Sequence, residues 1–259
     1  MKIKNILLYC TVLAAVLTSC QSNENKNQVS DKKDEAAPQL EIMADRFADI
    51  QVLRYDVPGF NELSLQQKQL AYYLYQAGLS GRDIHWDQKY KHNLQIRKTL
   101  ETILSTYSGD KNSEDYNHFV EYCKRVFFAN GIHHHYSNAK FLPEFSFDYF
   151  KELVSKSDNA KLPLEGMKLD AFTTMLQPIM FDPKVDAKAV DLSPNVDIIK
   201  ASAGNFYEDV TQKEAETFYN SMMQKGVKEQ PSYGLNSKLI KENGKLKGLD
   251  ERWNVRCSY

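Results

Sequence analysis

The stretch SEDYNHFVEYCKRVFFANG, residues 113–131, decides the fold of this chain. Four apolar side chains recur in it at the three- and four-residue spacing of one helix face: Phe119, Cys123, Val126 and Phe127. The stretch ends in Asn130-Gly131, a pair typical of the left-handed conformation that follows a helix. We therefore predict a helix over about 113–129 with one side in a core, where Cys123 is a small packing residue.

The same periodicity, with capping signals, predicts further helices on both sides of this stretch. Their expected ranges are about 64–79, 92–107, 147–154, 170–176 and 211–223. Ser64 and Thr211 each open a capping box, in which a side chain three residues later reaches back to the start of the helix. The helix that begins at Asp170 is expected to be interrupted near Pro178 and Pro183.

Towards the C-terminus the apolar period shortens from helical spacing to alternation. Tyr233, Leu235 and Leu239-Ile240 precede Asn243-Gly244, a dipeptide that favours a type I′ turn, and Leu246 follows. This pattern predicts a β-hairpin. The expected fold class is α+β, predominantly helical with a few C-terminal β-strands.

The first twenty residues, MKIKNILLYCTVLAAVLTSC, are typical of a secretory signal. Leu17-Thr18-Ser19-Cys20 is similar to the lipobox of bacterial lipoproteins, in which the cysteine is diacylated after cleavage. An ordinary cleavage site with an incidental cysteine is the alternative. We expect residues 1–20 to be a lipoprotein signal peptide and Cys20 to be lipidated. Two acyl chains would anchor the protein to a membrane of the cell envelope, at its periplasmic or outer-membrane face.

Residues 21–38 mix both charge signs and hold almost no apolar side chains, so we predict a disordered tether. From residue 39 to about 247 the chain is rich enough in Tyr, Phe and Leu to form a core. The net charge of −1 gives no electrostatic case for a nucleic-acid partner. Only Cys123 and Cys257 would remain after signal cleavage and lipidation, so a disulfide framework does not hold this domain.

Three adjacent histidines, His133, His134 and His135, raise the question of a metal site. In an extended segment His133 and His135 share a face while His134 points away, so one metal could take two of them at most. No His-Glu-x-x-His or His-Glu-x-x-Gly-His element, nucleophile elbow or phosphate-binding loop occurs in the sequence. We predict no metal ligand and no catalytic residue in this chain.

Four segments resemble the dipeptidyl peptidase III family, in the form found in Bacteroidota-type bacteria. They are FADIQVLRYDVPGFNELSLQQKQLAYYLYQAGLSGRDIHWDQ (47–88), YCKRVFFANGIHHHYSNAKFLPEFS (122–146), SAGNFYEDVTQKEAETFY (202–219) and PSYGLNSKLIKENGKL (231–246). The segments are collinear with the family and similarly spaced. The resemblance covers nearly the whole of residues 39–247, which makes it more specific than any short motif.

The resemblance implies a function. Members of the family are two-lobed zinc exopeptidases that remove dipeptides from the N-termini of short peptides. This chain resembles the N-terminal part of the lower lobe, and the family's zinc motif lies beyond the residues that match. Zinc is therefore expected in the full-length enzyme but not in this chain. In the family the segment matching 131–141 runs past the cleft, which makes Tyr136 and His135 the expected substrate contacts.

After Lys247 the sequence departs abruptly from the family. A synonymous spelling of residues 247–259, read one base later, encodes a family-like Lys-Val-Trp continuation, so we expect 248–259 to be an out-of-frame tail. The leading hypothesis is a peptidase fragment that is inactive alone. The alternative is a non-catalytic surface lipoprotein that keeps a peptide-binding lobe.

Overall fold

The computed structural model describes residues 41–229 and 237–250, with side chains through Gly248. The chain divides into two units, Met1–Glu41 and Ile42–Tyr259, and the described helices and strands all belong to the second. The predicted signal peptide 1–20 with Cys20, the tether 21–38 and the end of the predicted tail, 251–259, lie outside the described residues.

The fold class predicted from the sequence, α+β and predominantly helical, is confirmed. The α-helices are α1 (Leu65–Ser80), α2 (Arg82–Lys89), α3 (Asn93–Thr106), α4 (Glu114–Ala129), α5 (Phe147–Ser155), α6 (Leu169–Phe181), α7 (Ile198–Ala201) and α8 (Gln212–Ser221). Five of the predicted helices coincide with α1, α3, α4, α5 and α8 to within two residues at nearly every end. Both predicted capping boxes, at Ser64 and Thr211, are formed.

Helix α6 corrects one expectation. The sequence predicted an interruption near Pro178, but the helix continues through this proline to Phe181. A proline in the last turn removes only its own N–H from the helix, and the residues that follow it, Ile179 and Met180, are buried. Packing of these two side chains therefore outweighs the lost hydrogen bond.

The strands form two small sheets. β1 (Met43–Phe47) and β2 (Ile50–Leu53) make an antiparallel hairpin that the sequence did not predict. β3 (Tyr207–Glu208), β4 (Ser237–Glu242) and β5 (Lys245–Asp250) form the second sheet, in that order. β3 runs parallel to β4, and α8 is the crossover helix that a parallel pair requires.

The predicted C-terminal hairpin is present as β4 and β5. Asn243 and Gly244 both have positive φ, 51° and 76°, as a type I′ turn demands. The return strand runs to Asp250, which pairs with Ser237, and so extends beyond the predicted end near Leu246. Tyr233 and Leu235 lie outside the described residues.

The main core is built by α2 to α6. Its fully buried side chains include Ile96, Leu100 and Ile103 of α3, and Phe119 and Val126 of α4. Cys123 is buried in the same cluster as a free thiol, as predicted. Burial raises the pKa of this thiol well above its ordinary value, which keeps it protonated and unreactive. A smaller cluster around Val210, Ala215 and Leu239 joins α8 to the second sheet.

Candidate functional site

The end of α4 sets the position of the three histidines. Asn130 adopts the left-handed conformation at φ 53°, and Gly131 follows at φ 145°. The N–H of Gly131 donates to the carbonyl of Val126 at 3.0 Å, which closes the helix as a C-cap does. The predicted end of this helix is therefore confirmed.

A buried asparagine holds the chain as it leaves the helix. Asn93 is fully buried at the start of α3, and its Nδ2 donates to the carbonyl of Trp86 at 3.1 Å. Its Oδ1 accepts from the N–H of Ile132 at 3.2 Å. A Cβ added at Gly131 would lie 2.2 Å from Nδ2 of Asn93, so only glycine permits this approach.

Residues 132–141, called the histidine segment below, fold back on themselves instead of running extended. The N–H of Phe141 donates to the carbonyl of Ile132 at 2.8 Å, and the N–H of His134 donates to the carbonyl of Ala139 at 2.8 Å. Asn138, at φ 59°, turns the chain between these bonds. The extended segment in which His133 and His135 would share a face is therefore not formed.

His133 belongs to the interior. It is fully buried, its ring lies 5.4 Å from that of Tyr90, and its Nε2 is 2.7 Å from the carbonyl oxygen of Asp186. The hydroxyl of Tyr90 donates to Oδ2 of the same aspartate at 2.5 Å. Because a carbonyl can only accept, Nε2 of His133 carries the proton. Its Nδ1 is buried with no hydrogen-bond partner among the described residues.

His135 and Tyr136 lie at the surface. The ring of His135 is 4.5 Å from that of His134, 4.4 Å from that of Tyr136 and 5.1 Å from that of Phe128. Tyr136 is 83 % exposed, so most of its side chain faces solvent. Tyr136 and His135, predicted as substrate contacts, are thus adjacent and accessible. Their role in binding stays a prediction.

A cleft of about 480 Å³ opens beside His135. Its walls come from α2, from the end of α4, from the histidine segment and from the residue before β3. They are His85, Gln88, Lys89, Phe128, Ala129, Asn130, His135 and Phe206. The size and the mixture of aromatic and polar groups are those of a small-ligand or peptide site. Tyr136 is not in the wall but next to it, through its ring contact with His135.

Among the described residues of the cleft wall, Lys89 supplies the one full charge. Its Nζ donates to the carbonyls of Ala129 at 2.7 Å and His133 at 3.1 Å, where it stabilises the C-terminal end of α4. Burial lowers the pKa of the Lys89 ammonium group, and burial also lowers the pKa of His135. The ammonium ties together α2, α4 and the histidine segment, so this part of the cleft has a fixed shape.

Sequence reasoning missed most of the cleft. His85, Lys89, Phe128 and Phe206 were not singled out, although His85, Phe128 and Phe206 fall within the segments that carry the family resemblance and Lys89 directly follows one of them. No spacing in the sequence indicates that they converge, because they come from three separate parts of the chain that together span more than 100 residues. Their position in or next to the segments that resemble the family is the one sequence signal that could have identified them.

Hydrogen bonds engage two of the ring nitrogens in the three histidines. Nδ1 of His134 accepts from the N–H groups of Tyr136 and Ser137, both at 3.1 Å, and Nε2 of His133 is bonded to Asp186. In the part of the chain that the structure describes, no group of three or more His, Cys, Asp or Glu side chains could hold a metal ion.

Comparisons with models of known protein families and with curated proteins give no match for this chain. The resemblance to dipeptidyl peptidase III accordingly stays a prediction from the quoted segments. Across residues 41–229 and 237–250, no helix combines the length and the apolar content that a membrane crossing requires.

The buried His133 predicts acid sensitivity of the fold. Burial lowers its pKa below the ordinary 6.5, and Lys140 and Lys89 act in the same direction. This histidine has a lower pKa in the folded state than in the unfolded state. At a pH between these two pKa values, the unfolded state therefore binds more protons than the folded state does. Its neutral form therefore gives full stability above pH 6.5, and the free energy of unfolding falls as the pH drops below that value.

Urea unfolding between pH 8 and pH 5 measures this effect. We expect His133→Gln to reduce the slope of stability against pH below about 6.5, although it lowers stability at neutral pH. A remainder of the slope is expected in the variant, because burial also lowers the pKa of His92. An unchanged slope in His133→Gln would show that this imidazole does not control the acid sensitivity.

Proposed function

We propose that this chain forms the N-terminal part of the lower lobe of a zinc-dependent dipeptidyl peptidase, which releases dipeptides from the N-termini of short peptides. In this proposal the protein is anchored to the cell envelope through lipid on Cys20, and it has no nucleic-acid partner. The chain contributes peptide contacts and no zinc ligand. Alone, it is expected to be inactive.

One observation supports the proposal most directly. The cleft beside His135 is lined by residues from three of the four segments that resemble the family: His85 from 47–88, Phe128 from 122–146 and Phe206 from 202–219. Segments that are far apart in the sequence would converge on one cleft if their shared feature were a common binding surface. The convergence of these segments on one cleft supports the proposal.

The groups around the cleft suit a peptide. The exposed ring of Tyr136 can pack against a peptide side chain while its hydroxyl stays in water. Phe128 and Phe206 offer apolar contact inside the cleft, and His135 joins the two regions. These residues would bind and orient the peptide. No step of the hydrolysis itself is assigned to them.

The alternative function is a non-catalytic surface lipoprotein with a peptide-binding lobe. In this alternative the cleft beside His135 is the peptide site. The two functions differ in the affinity that the chain shows by itself.

Peptide binding tests both the site and the choice between the functions. We expect a tetrapeptide with a free amino terminus and one aromatic side chain to bind the purified chain in a calorimetric or NMR titration. Tyr136→Ala should weaken binding about five- to tenfold, or roughly 1–1.4 kcal/mol, because an exposed aromatic contact is lost. Tyr136→Phe should bind as the wild type does, because it keeps the ring.

Tyr55→Ala is the matched control, since Tyr55 is also 83 % exposed but lies on the loop before α1. A dissociation constant in the millimolar range supports the fragment, whereas micromolar affinity supports the self-sufficient binding lobe. Equal losses in Tyr136→Ala and Tyr55→Ala would rule out a specific contact at Tyr136. No detectable binding by the wild type would remove the cleft as a peptide site in the isolated chain.

Catalysis and the gene provide the second test. The purified chain with added zinc should not turn over a dipeptidyl-naphthylamide. Turnover that a chelator abolishes would overturn the proposal that the chain is inactive alone.

The DNA that follows codon 247, read in the next frame, should encode His-Glu-x-x-Gly-His and a downstream Glu ligand. If no frame of that DNA encodes this element, the binding-lobe function is the better account.

A further inference from the structure

The cleft beside His135 carries a positive charge that no acidic group of the described residues compensates. Lys89 lines the cleft and is half-buried. Within residues 41–229 and 237–250, no carboxylate forms an ion pair with its ammonium group, and burial alone lowers the pKa of Lys89. A charge that is partly removed from water is normally paired with an opposite charge. A bound anion would supply the missing partner.

Lys140 shows how the same fold accommodates a comparable lysine. Among the described residues it is the other lysine whose pKa burial lowers. Its Nζ donates to three backbone carbonyls, and the carboxylates of Asp186 and Asp182 raise its pKa in opposition to burial. Lys140 therefore has three acceptors and two acidic neighbours within the fold. Lys89 has two acceptors, and no acidic group acts on its pKa.

The ammonium group of Lys89 has one donor left for a ligand. Of its three N–H groups, two donate to the carbonyls of Ala129 at 2.7 Å and His133 at 3.1 Å. The first of these bonds satisfies the C-terminal end of α4, whose partial negative charge would otherwise repel an anion. The third N–H has no acceptor in the part of the chain that the structure describes.

Two histidine rings add donors to the same wall. His85 and His135 both line the cleft, and neither ring forms a hydrogen bond with another described residue. Asp49 is close enough to His135 to raise its pKa slightly against burial, but this carboxylate already pairs with Nη2 of Arg125 at 3.3 Å. A neutral imidazole offers one N–H and a protonated imidazole offers two. The described wall thus combines three basic side chains with no acidic one.

We infer, on the basis of the proposed peptide site, that the cleft binds a carboxylate of the peptide, with Lys89 as its counter-charge and His85 and His135 as further donors. A carboxylate is an acceptor only, and its bonds to an ammonium group are stronger than bonds between neutral groups. A cationic group of the peptide would instead meet the like charge of Lys89. The carboxylate belongs either to an acidic side chain or to the C-terminus of the peptide, and both sources present the same chemistry.

Matched tetrapeptides test this binding in an NMR titration of the purified full chain. One series has an amidated C-terminus, one phenylalanine and a glutamate at each other position in turn, and the second series carries glutamine instead. A third series is the second with a free C-terminal carboxylate. We expect one carboxylate to tighten binding about tenfold over its uncharged match. A preference for glutamate identifies a side-chain carboxylate, and a preference for the free C-terminus identifies the terminal one.

The two ways in which this titration can fail are distinguishable. Equal binding by all three series overturns the carboxylate site but leaves the proposed peptide site standing. If no peptide of any series binds, the proposed peptide site and the carboxylate site are both overturned.

Substitution of Lys89 tests its role as the counter-charge. Lys89→Met should abolish the tenfold preference, and Lys89→Arg should keep most of it because the charge remains. Loss of the α4 cap in Lys89→Met would weaken the charged and uncharged peptides alike, so the ratio of the two affinities isolates the charge. Lys98→Met removes one charge from α3, outside the cleft wall, and should keep the preference. A preference that survives in Lys89→Met overturns the role of Lys89.

The wild type alone provides a second measurement if Lys89→Met does not fold. The NMR signal of the Lys89 Cε methylene should move on titration with the preferred peptide and stay in place with its uncharged match. A Lys89 signal that responds equally to both peptides, or to neither, overturns the assignment of Lys89 as the counter-charge.

Discussion

Gly131→Ala is expected to lower the free energy of unfolding by about 3–5 kcal/mol. Two costs combine at this position. A residue other than glycine at φ 145° is strained by roughly 1–3 kcal/mol. The new Cβ would also lie 2.2 Å from Nδ2 of Asn93, so the asparagine must move.

Movement of Asn93 has its own cost. Its side chain satisfies the carbonyl of Trp86 and the N–H of Ile132, and leaving such buried groups unpaired costs about 1–3 kcal/mol. The histidine segment begins at Ile132, so we also expect weaker peptide binding in this variant. Denaturant unfolding followed by circular dichroism measures the stability, and the titration described above measures the binding.

Gly78→Ala is the matched control, because a Cβ at that position in α1 meets nothing within 4 Å. Alanine is the better helix former by about 0.5–1 kcal/mol, so this variant should be neutral or slightly stabilised. A double-mutant cycle with Asn93→Ala should show that the two losses are not additive, since Asn93 is the group that the new methyl meets. A Gly131→Ala variant within about 1 kcal/mol of the wild type would contradict the close approach.

Phe119→Ala is expected to cost about 3–5 kcal/mol, the usual range for removing a fully buried phenylalanine. The ring of Phe119 lies in the centre of the main core, 5.8 Å from the rings of both Tyr116 and Phe145. Its removal leaves a cavity between α4 and the segment that leads into α5, which these neighbours fill only in part. The measurement is again equilibrium unfolding.

Phe128→Ala makes the same chemical change on the same helix at a side chain that is 43 % exposed. We expect it to cost about 1 kcal/mol or less in stability. Because Phe128 lines the cleft and contacts His135, it should weaken peptide binding, whereas Phe119 lies in the core away from the cleft wall. Equal destabilisation by the two substitutions would contradict the burial of Phe119 in the main core.

Local sequence signals predicted much of the helical structure. The limits of α1, α3, α4 and α8 follow from apolar period, capping boxes and the Asn130-Gly131 stop, which all act within a few residues of one another. The hairpin turn at Asn243-Gly244 was predictable for the same reason. The class, mostly helical α+β, follows from these elements.

Interactions between distant parts of the chain were not predictable in this way. Strand β3 is two residues long and exists because Tyr207 and Glu208 pair with Leu239 and Ile240, some thirty residues away. Pro178 indicated a helix end by its own chemistry, but burial of the residues that follow it decided otherwise. In both places a tertiary contact outweighed the local preference.

The sequence by itself determined the approximate limits of α1, α3, α4, α5 and α8, and that three histidines follow α4. Only the tertiary structure decided what those histidines do. His133 is buried because it hydrogen-bonds to Asp186 and packs against the ring of Tyr90. His135 lines a cleft because α2 and Phe206 form other parts of its wall. The physical reason is the distance along the sequence over which each interaction acts. Helix caps, turns and apolar periodicity depend on residues close in the sequence, whereas burial and the shape of a cleft depend on contacts between residues far apart in it.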